Sequence, residues 1–159
     1  MRKRRIYVAS SWRNQHQPEV VMALRTAGHE VYDFRHPADD GPQAGKPGLL
    51  DDGFRWSDVD ESWQGWGAER FRHRVTTHAL AKVGFEQDLS GLEWADTCVL
   101  VLPCGRSAHL EAGWASGSGR SLVILLLGAL EPELMYLLAD RIVLSVEEMV
   151  EVLAVDDFD

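Results

Sequence analysis

Apolar residues in this chain come in short unbroken runs separated by longer, mostly helix-patterned stretches. Ile6-Tyr7-Val8-Ala9 reads as a first buried strand. A polar loop follows, Ser10-Ser11-Trp12-Arg13-Asn14. Pro18 suits the first turn of a helix that runs to about Ala27, and Gly28 ends it. His29 to Phe34 is a second strand, Cys98 to Leu102 a third, Leu122 to Leu127 a fourth and Arg141 to Leu144 a short fifth. Ser145 and Glu148 have capping-box spacing and open a last helix. Alternating strands and helices predict a single α/β domain over 1–155: a parallel sheet of about five strands with helices on both faces. Residues 156–159 read as an acidic tail.

One stretch breaks the rhythm. From about 35 to 74 the chain begins with Pro, Gly and Asp and then carries Phe54, Trp56, Trp63 and Trp66 among acids, with no regular periodicity. Insertions of this length are binding loops or disordered segments. Four large aromatics argue against disorder. A lid over a flat ligand is one reading. An extra packed subdomain or a subunit interface is the other.

Composition narrows the partners. The chain has 159 residues, 45% of them hydrophobic, enough for one domain with a real core. A formal charge of −9 repels phosphate backbones, so extended nucleic acid is not expected. The basic start, Arg2 to Arg5, reads as a solvated flank. Cys98 and Cys104 match no zinc or redox motif, and reduced thiols in a cytoplasmic compartment are the default. The longest apolar run, Leu122 to Leu127, is too short to span a bilayer, and the N-terminus has no secretory apolar region. His36, His73 and His78 show no ligand spacing with any acid, so no metal is expected.

The candidate chemistry lies where a parallel sheet presents its carboxyl ends. After Ala9 the chain offers Ser10, Ser11, Trp12 and Arg13. The loop after Phe34 leads into the aromatic insertion, where Trp56 is a candidate to meet a ligand. After Leu102 come Arg106, Ser107 and a helix carrying Glu111 among the small residues Ala112, Gly113 and Ala115. Small neighbours leave room for a ligand at that carboxylate; alternatively the acid merely complements the helix dipole. Ser107 is a plausible N-cap, and the free N–H groups there, with Arg106, could hold a phosphate or a sugar hydroxyl. Asp96 precedes the third strand and reads as a turn-fixing acid, whereas Asp88 lies where a helix could aim it at the site. His109 diverges from Glu111 on a helix.

Three segments, IYVASSWRN, FEQDLSGLEWADTCVLVLP and GRSAHLEAGWASGSG, appear in an order and spacing that resembles the nucleoside 2-deoxyribosyltransferase superfamily, which includes nucleotide N-glycosidases. The resemblance covers most of the chain outside the insertion and implies a Rossmann or flavodoxin-like fold. It implies cleavage of the N-glycosidic bond of a nucleoside or nucleoside 5′-monophosphate, by hydrolysis or transfer. It assigns the nucleophile to Glu111, an assisting acid to Asp88, a residue holding the nucleophile to Tyr7 and 5′-phosphate binding to Ser107. Arg13 opposite Ser107 and Arg106 favours a monophosphate. No cofactor is implied, and a homodimer or higher homo-oligomer with neighbours completing the site is expected. The chain departs from the family in its first loop, which is not glycine-rich, and in the longer Trp-rich insertion. Two further readings stand beside this one: a module that senses a nucleotide without cleaving it, and a hydrolase of a dinucleotide cofactor.

Overall fold

The computed structural model describes residues 2–128 and 131–155. The expected acidic tail, 156–159, lies outside them. The elements in chain order are β1 (Arg5–Ala9), α1 (Gln17–Thr26), β2 (Glu30–Asp33), α2 (Trp56–Val59), α3 (Ala68–Thr77), α4 (Ala79–Trp94), β3 (Thr97–Val101), α5 (Arg106–Gly117), β4 (Ser121–Leu125), β5 (Arg141–Val143) and α6 (Val146–Leu153). Two 3-10 turns, Trp63–Gly65 and Leu134–Leu138, complete the list. The five strands form one parallel sheet in the order β2-β1-β3-β4-β5.

Strands β1 to β4 alternate their side chains between two buried faces, which is why they read as apolar runs, whereas Ile142 of the edge strand β5 is exposed. On one face Ile6, Val8, Val31, Val99, Val101, Val123 and Leu125 meet Val20, Val21 and Leu24 of α1 and Met149 and Leu153 of α6. On the other Tyr7, Tyr32, Cys98, Leu100, Leu122 and Ile124 meet Leu92 of α4 and Ala108, Ala112 and Ala115 of α5. Ser145 caps α6 as its spacing predicts, accepting from Glu148 N at 3.1 Å. Asp96 fixes the amino end of β3, accepting from Arg5 N at 3.2 Å and Thr97 Oγ1 at 2.9 Å.

The stretch from 35 to 74 is more regular than its sequence suggests. It contains α2, a 3-10 turn and most of α3. No residue of α3 is buried, so no apolar stripe marks it in the sequence. Trp56 gathers Phe54, Trp66 and Phe71 around it, with ring centroids 4.8, 5.8 and 5.8 Å away. Asp60 ties this cluster down, accepting from Trp66 Nε1 at 3.1 Å and Arg70 at 2.6 Å.

Candidate active site

The loops after β1 and β3 are stitched together. Ser10 Oγ donates to Val101 O at 3.0 Å, and buried Asn14 Nδ2 donates to Val101 O and Pro103 O at 3.2 and 3.1 Å. The chain then enters α5 with Gly105 at the cap in an extended conformation. This corrects the expected cap. The helix starts at Arg106, one residue before Ser107, so Ser107 stands inside the first turn and makes no cap hydrogen bond. The first-turn N–H groups of a helix have no partner within it, and exposed Arg106 and Ser107 flank them here.

Ala108, Ala112 and Ala115 form the sheet-facing stripe of α5. Their small size lets the helix lie close to the strands, and Glu111, three residues past Ala108, falls at the edge of that stripe. In α4 the stripe is Gly84, Gln87, Gly91 and Leu92, and Asp88 falls within it, four residues after Gly84. The two helices thus bring two acids to one face of the sheet.

Beneath them lie two tyrosines. Parallel pairing of β1 with β2 sets Tyr7 beside Tyr32, and the rings stack at 5.2 Å with 10° between their planes. Gly91 makes room for this pair, because a Cβ there would fall 2.7 Å from the Tyr32 ring. Tyr32 Oη donates to Asp88 Oδ1 at 3.0 Å. Tyr7 Oη is buried and completes no hydrogen bond, yet it lies near enough to Glu111 to favour that carboxylate. Protein surrounds both carboxyls on most sides, but each keeps some solvent exposure. Neither residue is sealed in the core.

Both acids are pushed upward. Burial raises Asp88 to about 7, against the lowering effect of the Tyr32 hydrogen bond. Burial and then the charge of Asp88 raise Glu111 to about 8, against the lowering effect of Tyr7. Such neighbours titrate as a pair, and near neutral pH they share about one proton. The same burial and the same acids raise both tyrosine hydroxyls, so Tyr7 and Tyr32 remain donors. The Cys104 thiol is pushed up to about 12 by burial and by Glu111, and Cys98 is raised by burial too, so neither is a thiolate nucleophile.

The chain has the fold of a 2-deoxyribosyltransferase. The structure of the enzyme of that name from the psychrotolerant bacterium Bacillus psychrosaccharolyticus aligns with 91% of this chain and 89% of its own, with a TM-score of 0.56 and 18% identity. That protein is a biocatalyst suited to the industrial synthesis of antiviral and antitumoral nucleosides. No family model and no curated protein sequence matches the chain.

The remaining candidates are placed less directly. Ser11 Oγ accepts from Arg13 N at 3.1 Å and so shapes its own loop. Trp12 is a strut: its Nε1 donates to Phe54 O at 3.0 Å and Arg55 covers its ring at 4.0 Å. Arg13 is exposed, and Trp56 is taken up by the insertion's own aromatic cluster. His109 stacks on Tyr136 and bonds it through Nε2 at 3.0 Å. Among the described residues no group of three or more metal-ligating side chains gathers, and no helix is long and apolar enough to cross a membrane. A groove of about 620 Å³ between α1 and α6 shares no residue with the acid pair. Chemistry, and not size, marks the site.

Two contributors escape a reading of the sequence. Tyr32 looks like core filler in a buried strand. Arg35 sends one guanidinium nitrogen to three carbonyls, Ser11 O, Trp12 O and Asn14 O, at 3.0, 3.2 and 2.8 Å. Its position at the start of an irregular stretch gives no hint of that.

Proposed function

We propose that this protein cleaves the N-glycosidic bond of a nucleoside or nucleoside 5′-monophosphate. The observation that carries the reading is the acid pair, Glu111 and Asp88, set over two tyrosine hydroxyls on one face of the sheet. A glycosidic bond breaks through a transition state with positive charge on the sugar, which a carboxylate beside the ring stabilises or captures. The ionised Glu111 oxygen forms a bond to the anomeric carbon as the carbon–nitrogen bond breaks. The bonding pair leaves with the base, and Asp88 gives that nitrogen its proton. Asp88, now ionised, takes a proton from the acceptor, which attacks the same carbon and frees Glu111. Water as acceptor gives hydrolysis, and a second base gives transfer. The free pair holds its shared proton mainly on Glu111, the group of higher affinity, and the reaction runs from the form in which that proton stands on Asp88. Tyr7 holds the nucleophile.

The phosphate of a monophosphate would sit at the first turn of α5, with Ser107, Arg106 and Arg13 around it. Ser10, Ser11 and Trp12 would border the base. We place the enzyme in a reducing cytoplasm and assign it a homodimer or higher homo-oligomer. Exposed apolar residues on α3 and on the turn Leu134–Leu138 favour a second copy.

The test is incubation with a panel of nucleosides, their 5′-monophosphates and dinucleotides, followed by chromatography for free base. Release of base from a nucleoside or monophosphate, abolished in Glu111→Ala, is the expected result. Intact substrates across the panel, with binding retained, would make the protein a sensor instead.

A further inference from the structure

We propose that Tyr32 is a positioning residue whose hydroxyl holds Asp88 and sets the pH at which Asp88 gives up the proton it lends to the departing base. The inference rests on the role of Asp88 in the reaction above, and it adds a residue which that reading does not use.

Packing alone does not call for a hydroxyl at this position. The Tyr32 ring lies against Tyr7, and Gly91 and Gly41 are bare where it passes: a Cβ at either would come within 2.7 and 2.9 Å of ring carbons. A phenylalanine ring fills the same space. Tyr32 is only 1% exposed, so its hydroxyl carries a burial cost unless it finds an acceptor. It finds Asp88 Oδ1, at 3.0 Å. The bond joins β2 to α4 and fixes the carboxyl against the sheet.

The groups around this contact are few. Tyr7 faces it from β1 and Glu111 from α5. Asp33, next in β2, is held by Gln17 at 2.7 Å and by the Arg35 N–H at 3.0 Å. A donor aimed at the ionised form favours that form. Burial works the other way. Tyr32 therefore opposes the pressure that keeps Asp88 protonated, and its hydroxyl sets where the balance falls.

The experiment is Tyr32→Phe, read in two ways. Protein labelled with ¹³C at aspartate Cγ is titrated without substrate, and the Asp88 signal is identified by its loss in Asp88→Asn. The midpoint of Asp88 should rise by about one pH unit in the variant. The alkaline limb of kcat/KM should move up with it, since Asp88 then keeps its proton to higher pH. In an Asp88→Asn background, Tyr32→Phe should change the profile no further. An unchanged midpoint, an additive loss in that background, or loss of the fold on removing one hydroxyl would each overturn the inference. A shifted midpoint in a protein that cleaves no nucleotide would leave Tyr32's hold on Asp88 standing and sink the proposed reaction instead.

Discussion

Glu111 is the clearest case of a residue whose place decides its chemistry. It stands at the edge of a stripe of alanines, close to the sheet and close to Asp88, and its proton affinity rises accordingly. On the proposed mechanism Glu111 acts mainly in the transition state, so Glu111→Ala should lower kcat by several orders of magnitude with the fold intact. Stability should respond in the opposite direction. Between the unfolded value near 4.5 and the folded value of about 8, the native protein holds a proton that the unfolded chain has released. Stability from this group therefore falls as pH rises through that window. Glu111→Gln removes the effect and should stabilise the protein by about 1–2 kcal/mol at pH 8, with little gain at pH 4. Paired urea melts at the two pH values would check this; equal gains at both would refute it. Glu111 stands out as a candidate through its small neighbours, and Asp88 and Tyr7 through the resemblance. Tyr32 does not, because only strand register sets it beside Tyr7, and no local pattern encodes register between strands that lie far apart in sequence.

Helix α4 shows how an element can be shaped for what lies under it. A Cβ at Gly84 would fall 2.7 Å from Phe54, and one at Gly91 would fall 2.7 Å from Tyr32. Alanine favours a helix over glycine by about 1 kcal/mol, whereas overpacking costs about 1–3 kcal/mol. Gly91→Ala should therefore change stability little and lower activity strongly, by moving the ring that holds Asp88. Gly113→Ala is the control, since nothing lies within 4 Å of a Cβ there. It should raise the melting temperature by a few degrees and leave kcat alone. Calorimetry with initial rates on both variants would decide the matter; equal activity in the two would remove the role given to Gly91. Strands and capped helices were legible to within a residue or two, because their apolar runs and punctuation are local. The start of α5 was misread by two residues, since the cap is an extended Gly105 and not Ser107. Helix α3 was missed because it buries nothing within this chain.

At the scale of the molecule, the α/β class was legible from five short apolar runs, but the order β2-β1-β3-β4-β5 was not. Phe71 and Val75 of α3 and Leu134, Met135 and Leu137 of the turn before β5 remain exposed. If a second copy covers them, light scattering should report at least a dimer. Phe71→Glu with Leu137→Glu should then dissociate it, and a wild-type monomer would remove the argument. The strand order has another consequence. A cut at exposed Gly45 would separate β1, α1 and β2, with both tyrosines, from α4 and α5, with both acids. Because β1 lies between β2 and β3, the shorter piece must slot back into the longer one along a whole strand edge. The two halves, expressed apart, should each be inert and should regain turnover on mixing. Catalysis would then serve as a readout of chain reassembly.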